Sequence, residues 1–242
     1  MQNSEAIIKV NNLYKRFGSF EANKDLNFNV YKGEIFGFLG ANGAGKTTAM
    51  KILCGLSKPS SGQVKIANYD IYTQTNEIKK RIGYMSQKFS LYEDLTIREN
   101  IRLYGGIYGL SKIEIENRST NLIKKLGLFE AKNKLIKDIP LGWKQKLAFS
   151  IAILHDPEIV FLDEPTGGVD PITRRQFWKL IYEAADRGVT IFVTTHYMDE
   201  AEYCDRLSIM VDGEIVAMDS PLNLIQDNKA KNMDEVFLKL VR

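Results

Sequence analysis

The chain has 242 residues, 44% hydrophobic and 26% charged, enough for one large α/β core or a core with a smaller inserted unit, and a multidomain array is not expected. Thirty-three Lys and Arg against thirty Asp and Glu leave a formal charge of +3, too small an excess for a nucleic-acid groove, so no nucleic-acid partner is expected. No stretch approaches the ~20 apolar residues of a spanning helix, and the polar start before Ile7 and Ile8 argues against a signal peptide or presequence, so membrane contact is expected only peripherally or through another chain.

In chain order, β-rich runs at residues 7–10, 26–31 and 34–39 alternate with turn residues. The third run leads straight into a glycine-rich loop, which is followed by residues 46–56 of helical composition. The loop and helix start read Gly40-Ala41-Asn42-Gly43-Ala44-Gly45-Lys46-Thr47-Thr48, a complete Walker A pattern. Glycines let successive N–H groups curl around a phosphate, and the positive end of the following helix points at the same charge. In this pattern Lys46 reaches the β- and γ-phosphates, Thr47 ligates Mg²⁺, and Thr48 follows near the α-phosphate.

Residues 63–67 and 81–86 read as further strands; from residue 96 the β character gives way to helical patterns at 97–108 and 113–126. Six lysines, Lys112, Lys124, Lys125, Lys132, Lys134 and Lys137, fall in this stretch, either a solvated helical surface or a face toward anionic lipid or a partner. A third helix, 143–154, leads to the apolar run Ile159-Val160-Phe161-Leu162, which ends in Asp163-Glu164. Two carboxylates at the C-terminal edge of a buried strand stand where open sheets hold ligands. Asp163 can orient Mg²⁺ and its waters, and Glu164 can take a proton from the water that attacks the γ-phosphate. Pro171 opens a helix ending near Gly188, residues 189–195 form a strand, 198–204 are helical, and Asp212-Gly213 turns a hairpin. Asn232 caps a terminal helix with Glu235 three residues on. Cys54 and Cys204 have no paired spacing and read as small core residues.

With these motifs in this order, the chain resembles the ATP-binding subunits of ABC transporters over nearly its whole length, and most closely those of the multidrug and ABC-2 export group. The resemblance implies a fold: an α/β P-loop NTPase core of ABC type with an antiparallel β-subdomain and an inserted helical subdomain. It places the core at residues 1–87 and 140–220, the helical subdomain at 88–139 and a C-terminal helical tail at 221–242. Tyr84-Met85-Ser86-Gln87 resembles the Q-loop, implying that Gln87 contacts Mg²⁺ or the attacking water. Gly168-Val169-Asp170 resembles the D-loop, with Asp170 crossing a dimer interface, and Thr194-Thr195-His196 resembles the switch region, with His196 at the γ-phosphate. Phe17 stands where the family stacks an aromatic ring on adenine, with Tyr14 as the rival ring and core packing as the alternative. His155 has no such match and reads as structural.

One motif departs from the family. Where its signature reads Leu-Ser-Gly-Gly-Gln, this chain has Ile139-Pro140-Leu141-Gly142-Trp143, which retains only Gly142 from the core of that signature. Pro140 removes a hydroxyl and an N–H donor, leaving Gly142 and the helix start for nucleotide contact.

The implied activity is Mg²⁺-dependent ATP hydrolysis coupled to export through a separate integral membrane permease. A second copy, or a homologous ATPase subunit, would close head to tail on ATP, and the chain would sit peripherally on the cytoplasmic face of the membrane. The rivals are a non-transport ABC-type ATPase of DNA repair or translation, and a regulatory module that binds ATP with little turnover.

Overall fold

The computed structural model describes residues 5–87 and 91–241. Two sheets are built. β1 (Ala6–Phe17), β2 (Phe20–Tyr31), β4 (Ser61–Ile66) and β5 (Tyr69–Asp70) form an antiparallel sheet in the order β2-β1-β4-β5. In β2 the alternating Leu26, Phe28 and Val30 are buried and the residues between them exposed, as a sheet with one covered face requires. The other sheet runs β10-β9-β3-β8-β7-β6. Its central strands, β3 (Ile35–Leu39), β7 (Ile159–Asp163) and β8 (Thr190–Thr195), are buried at every residue, the mark of parallel strands covered on both faces. β6 (Ile82–Met85) and β9 (Arg206–Val211) extend them in parallel, and β10 (Glu214–Asp219) returns antiparallel through Asp212-Gly213, both at positive φ. Phe28 joins the two sheets: its ring packs against Phe36, Phe38 and Phe192 with centroids 5.2 to 6.2 Å apart.

Between β6 and β7 the chain leaves the sheet. α3 (Ile97–Ile107) and α4 (Lys112–Lys125) each start in a complete capping box, Thr96 with Glu99 and Ser111 with Glu114. They approach closely at Gly105, where a Cβ would meet Ile115 Cγ1 at 2.8 Å. α5 (Leu141–Ala152) then returns to the core and, with α6 (Pro171–Ala185), encloses a second hydrophobic cluster around Phe149, Phe177 and Trp178. The remaining helices are α1 (Lys46–Leu53), α2 (Thr75–Arg81), α7 (Met198–Ala201), α8 (Pro221–Asp227) and α9 (Met233–Leu240). The expected architecture, a P-loop α/β core with an antiparallel subdomain and an inserted helical subdomain, is the observed one.

Several local expectations differ. β1 and β2 are each 12 residues long, well beyond their apolar runs, because mutual pairing with bulges satisfies the backbone of polar residues too. α5 begins at Leu141, two residues before the expected start at 143, with Pro140 as its N-cap. Before α3, Leu91 is buried in the core and Tyr92 is exposed. Cys54 and Cys204 are buried free thiols whose ionisation burial pushes up. His155 stacks on Tyr108 at 3.8 Å with Nε2 3.1 Å from the Ile82 carbonyl, and burial holds it below the usual histidine range. Of the six lysines, Lys125 pairs with Glu183, Lys137 with Asp94, and Lys132 lies over the Phe129 ring.

Candidate active site

β3 delivers the glycine-rich loop to the start of α1. Gly45 is the N-cap of α1 at φ 101°, and a Cβ there would lie 2.4 Å from the Ala22 carbonyl oxygen, so only glycine fits. The loop is braced from outside. Asn23 Nδ2 donates to Gly45 O at 3.1 Å, and Gly213 N to Ala44 O at 3.1 Å. Asn23 is fully buried, and nothing in its sequence context marks it as a brace; the turn at Asp212-Gly213 was legible as a turn only.

Lys46 is buried, with Nζ donating to Gly40 O at 2.8 Å and Ala41 O at 3.0 Å and lying 3.4 Å from Glu164 Oε1. Burial pushes its ammonium below the ordinary lysine value, with Glu164 opposing the shift. Thr47 Oγ1 donates to Asp163 Oδ1 at 3.1 Å, and the same oxygen accepts from Thr194 Oγ1 at 2.7 Å. Strand β7 places Asp163 there as its last residue. Its neighbour Glu164 turns into the left-handed region, φ 46°, unusual for a side chain of this kind, and is held by its N–H donating to Thr194 O and Oγ1 at 3.2 and 3.0 Å. That turn swings its carboxylate over the loop. Gln87 Nε2 donates to Glu164 Oε2 at 2.8 Å, and His196 Nδ1 lies 3.1 Å from the same oxygen, off the line of a hydrogen bond.

Lys46, Thr47, Gln87 and Glu164 line one cavity of about 480 Å³ with Asn42, Gly43, Gly45 and Thr48, and with Ala22 and Phe20 at its side; Asp163 and His196 adjoin it behind Thr47 and Glu164. Thr47 and Asp163 offer a hydroxyl and a carboxylate, hard oxygens suited to Mg²⁺, which keeps waters and phosphate oxygens for its other positions. Among the described residues no three His, Cys, Asp or Glu gather as a cage for a more fully protein-bound metal.

Three expected residues lie away from this cavity. Phe17 is more than half exposed at the end of β1 with Lys15 Nζ 4.7 Å from its ring centre; its cross-strand partner Phe20 lines the cavity instead. Phe20 carries no motif of its own, and only its pairing with Phe17 across the β1–β2 turn brings it to the cavity. Gly142 and Asp170 meet each other through Thr173. A Cβ on Gly142 would lie 2.6 Å from Thr173 Cγ2, and Asp170 caps α6, accepting from Ile172 N and Thr173 N at 3.0 Å each. The Thr173 hydrogen bonds hold the Asp170 carboxyl below its usual range. Pro140 O accepts from Trp143 N at 3.0 Å, and no side chain caps α5.

A family model described as ABC transporter matches residues 23–167, more than half of the chain and both sides of the cavity. YbhF of Escherichia coli (strain K12), a "probable multidrug ABC transporter ATP-binding protein", is 42% identical over 242 residues, which cover 98% of this chain but only 42% of YbhF. A solved ATP-binding subunit of an ABC transporter superposes with TM-score 0.87 at 29% identity, over 97% of this chain and 99% of that one. A dimeric ATP-binding cassette in a post-hydrolysis state with ADP and Pi superposes with TM-score 0.79 at 28% identity, over 88% of this chain and 98% of that one. The phosphate loop, the strand-end carboxylates and the match spanning both lead to one conclusion: the chain belongs to the ABC transporter family, as an ATP-binding cassette.

Proposed function

We propose that the chain hydrolyses ATP with Glu164 as general base and couples that hydrolysis to export through an integral membrane permease. The observation that carries the reading is the posture of Glu164. A carboxylate held at positive φ, 3.4 Å from the Walker lysine and bonded by Gln87, stands beside the space where a γ-phosphate and its attacking water belong.

In this reading the loop N–H groups and the start of α1 hold the phosphates, and Lys46 exchanges its bonds to Gly40 O and Ala41 O for β- and γ-phosphate oxygens. Thr47 and Asp163 hold Mg²⁺, with Gln87 reaching it or the water. When bound, the ion neutralises charge developing on the phosphates. Glu164 accepts a proton from water as its oxygen attacks the γ-phosphorus and the bond to the ADP oxygen breaks, and the proton then leaves with phosphate. Gln87 orients the Glu164 carboxylate, and His196 contacts the γ-phosphate.

Gly142 and Asp170, away from the cavity, contribute across a head-to-tail dimer with a second copy or a homologous subunit, in line with the dimeric solved relative. The permease docks on a groove of about 540 Å³ between the core and α3, with Leu56, Tyr84, Tyr104 and Ile107 among its apolar walls and Lys79 and Lys80 at its edge. Among the described residues no helix is long and apolar enough to cross a membrane, so the spanning part belongs outside them, and a peripheral place on the cytoplasmic face follows from that docking. Likeness to YbhF favours the multidrug and ABC-2 export group, and residues 1–87 with 140–220, 88–139 and 221–242 are the proposed core, helical subdomain and tail.

Glu164→Gln tests the reading. The amide keeps size and cannot take the proton, so turnover falls by ~10² to 10⁴ while ATP binding is retained; steady-state turnover within about twofold of the parent contradicts the assignment.

A further inference from the structure

The carboxylate of Glu200 has no place in the chemistry above and does not line the phosphate-loop cavity, yet it is fully buried. The short α7, directly after the His196 turn, carries it inward. Its Oε2 accepts from Thr195 Oγ1 at 2.7 Å, and its Oε1 accepts from Thr166 Oγ1 and lies 3.4 Å from Arg174 Nε. Thr195 Oγ1 in turn accepts from Tyr197 N at 3.0 Å, so one hydroxyl joins the backbone on both sides of His196 to Glu200. Thr166 sits in the turn closed by Gly167 N donating to Glu164 O at 3.2 Å. Arg174, on the helix that Asp170 caps, also bonds Asp199 at 3.0 Å and lies 4.1 Å from the Tyr197 ring centre.

A buried carboxylate persists where donors and an opposite charge meet its desolvation. Every group that does so here belongs to a segment carrying a site residue: the end of β8 before His196, the turn after Glu164, and α6 behind Asp170. We propose that Glu200 is a positioning residue for hydrolysis, fixing the His196 turn and the turn after Glu164 in one relative geometry around the Glu164 carboxylate. It touches neither nucleotide nor water. Its effect falls on kcat, because the phosphate loop and α1, which set affinity, take no part in these bonds. The inference rests on the roles given to Glu164 and His196 above.

The test compares kcat, ATP dissociation constant and melting temperature for the full chain, its Glu200→Gln, Glu200→Ala and Thr195→Val variants, and Glu200→Ala combined with His196→Ala. Glutamine keeps the shape but has one acceptor oxygen for two hydroxyls, so Glu200→Gln lowers kcat by ~10-fold and Glu200→Ala by up to ~10²-fold, the scale of a misplaced catalytic geometry, with ATP affinity within about twofold. In the His196→Ala background Glu200→Ala lowers kcat by less than in the parent, since the part of its effect exerted through the His196 turn is already lost. Parallel losses of kcat and affinity, full additivity with His196→Ala, or an unchanged kcat in Glu200→Gln overturn the proposal. If the Glu200 variants melt below assay temperature, Thr195→Val decides: it leaves the Glu200–Arg174 pair intact, and it must lose kcat at unchanged affinity, with parental kcat overturning the proposal. Glu164→Gln and His196→Ala serve as controls. Parental turnover in both defeats the underlying reading, whereas lost turnover there with parental turnover in the Glu200 variants defeats this inference alone.

Discussion

The N-termini of α1 and α5 are alike in what they lack and opposite in what surrounds them. Among the described helices of eight residues or more, α3, α4, α6 and α9 have a side-chain cap, whereas α1 and α5 have none and carry no acidic residue in the first turn. Uncapped first-turn N–H groups are donors waiting for a ligand or water. At α1 the same chain supplies everything else, with Lys46 3.4 Å from Glu164 and Thr47 bonded to Asp163. At α5 there is only Pro140, an exposed Leu141 and Gly142 packed on Thr173. On the function proposed above, the contrast is between a helix end that meets its ligand within one chain and one that meets a phosphate brought by a second protomer.

The comparison breaks most visibly at Lys46. Lys46→Ala removes charge-assisted bonds worth ~1.5 to 3 kcal/mol, so ATP affinity falls by ~10- to 100-fold in the isolated chain, read by titration; an unchanged constant and unchanged turnover would show that α1 is not the phosphate-binding end. A smaller effect sits at the hairpin beside the cavity. If adenine lies against the Phe17 and Phe20 pair, truncating either to Ala weakens ATP binding by about fivefold, near ~1 kcal/mol, while Phe17→Tyr preserves it. An unaltered dissociation constant for one truncation removes that ring from the role.

Pro140→Ser sharpens the comparison at α5, with the smallest effect. A serine there restores a hydroxyl and an N–H at the open helix end, so the ATP-dependent dimer tightens about threefold in the Glu164→Gln background, the scale of one neutral hydrogen bond. A dimer constant equal to or weaker than the Pro140 parent contradicts this and assigns the proline a preorganising part.

Much of the α1 side was legible because its chemistry is local: the glycine spacing, Lys46, Thr47 and the Asp163-Glu164 strand end are contiguous motifs, and burial of β3 and of residues 159–162 in β7 follows from unbroken apolar runs. Asn23, Phe20 and Glu200 act through partners distant in sequence or on the far side of a turn, and their neighbours have no pattern of their own. The positive φ of Glu164 is likewise invisible in a Leu-Asp-Glu-Pro string, since hydrogen bonds to Thr194, thirty residues on, impose it. α2, seven residues long, escaped because two turns give too few positions for a helical period. The helix patterns at 97–108 and 113–126 were readable because each is long enough to show a helical period and ends at a glycine, Gly109 and Gly127.

The central claim, that the α5 end completes a nucleotide site across two protomers, is tested most directly by sedimentation of the Glu164→Gln chain over a concentration series, with and without Mg²⁺ and ATP, alone and combined with Gly142→Asp. The account predicts a monomer that dimerises only with ATP, and a Gly142→Asp variant that binds ATP with parental affinity but stays monomeric, because the side chain added at the start of α5 must displace Thr173 and brings negative charge to that helix end. A dimer that forms without ATP, or one that Gly142→Asp leaves intact, would contradict it.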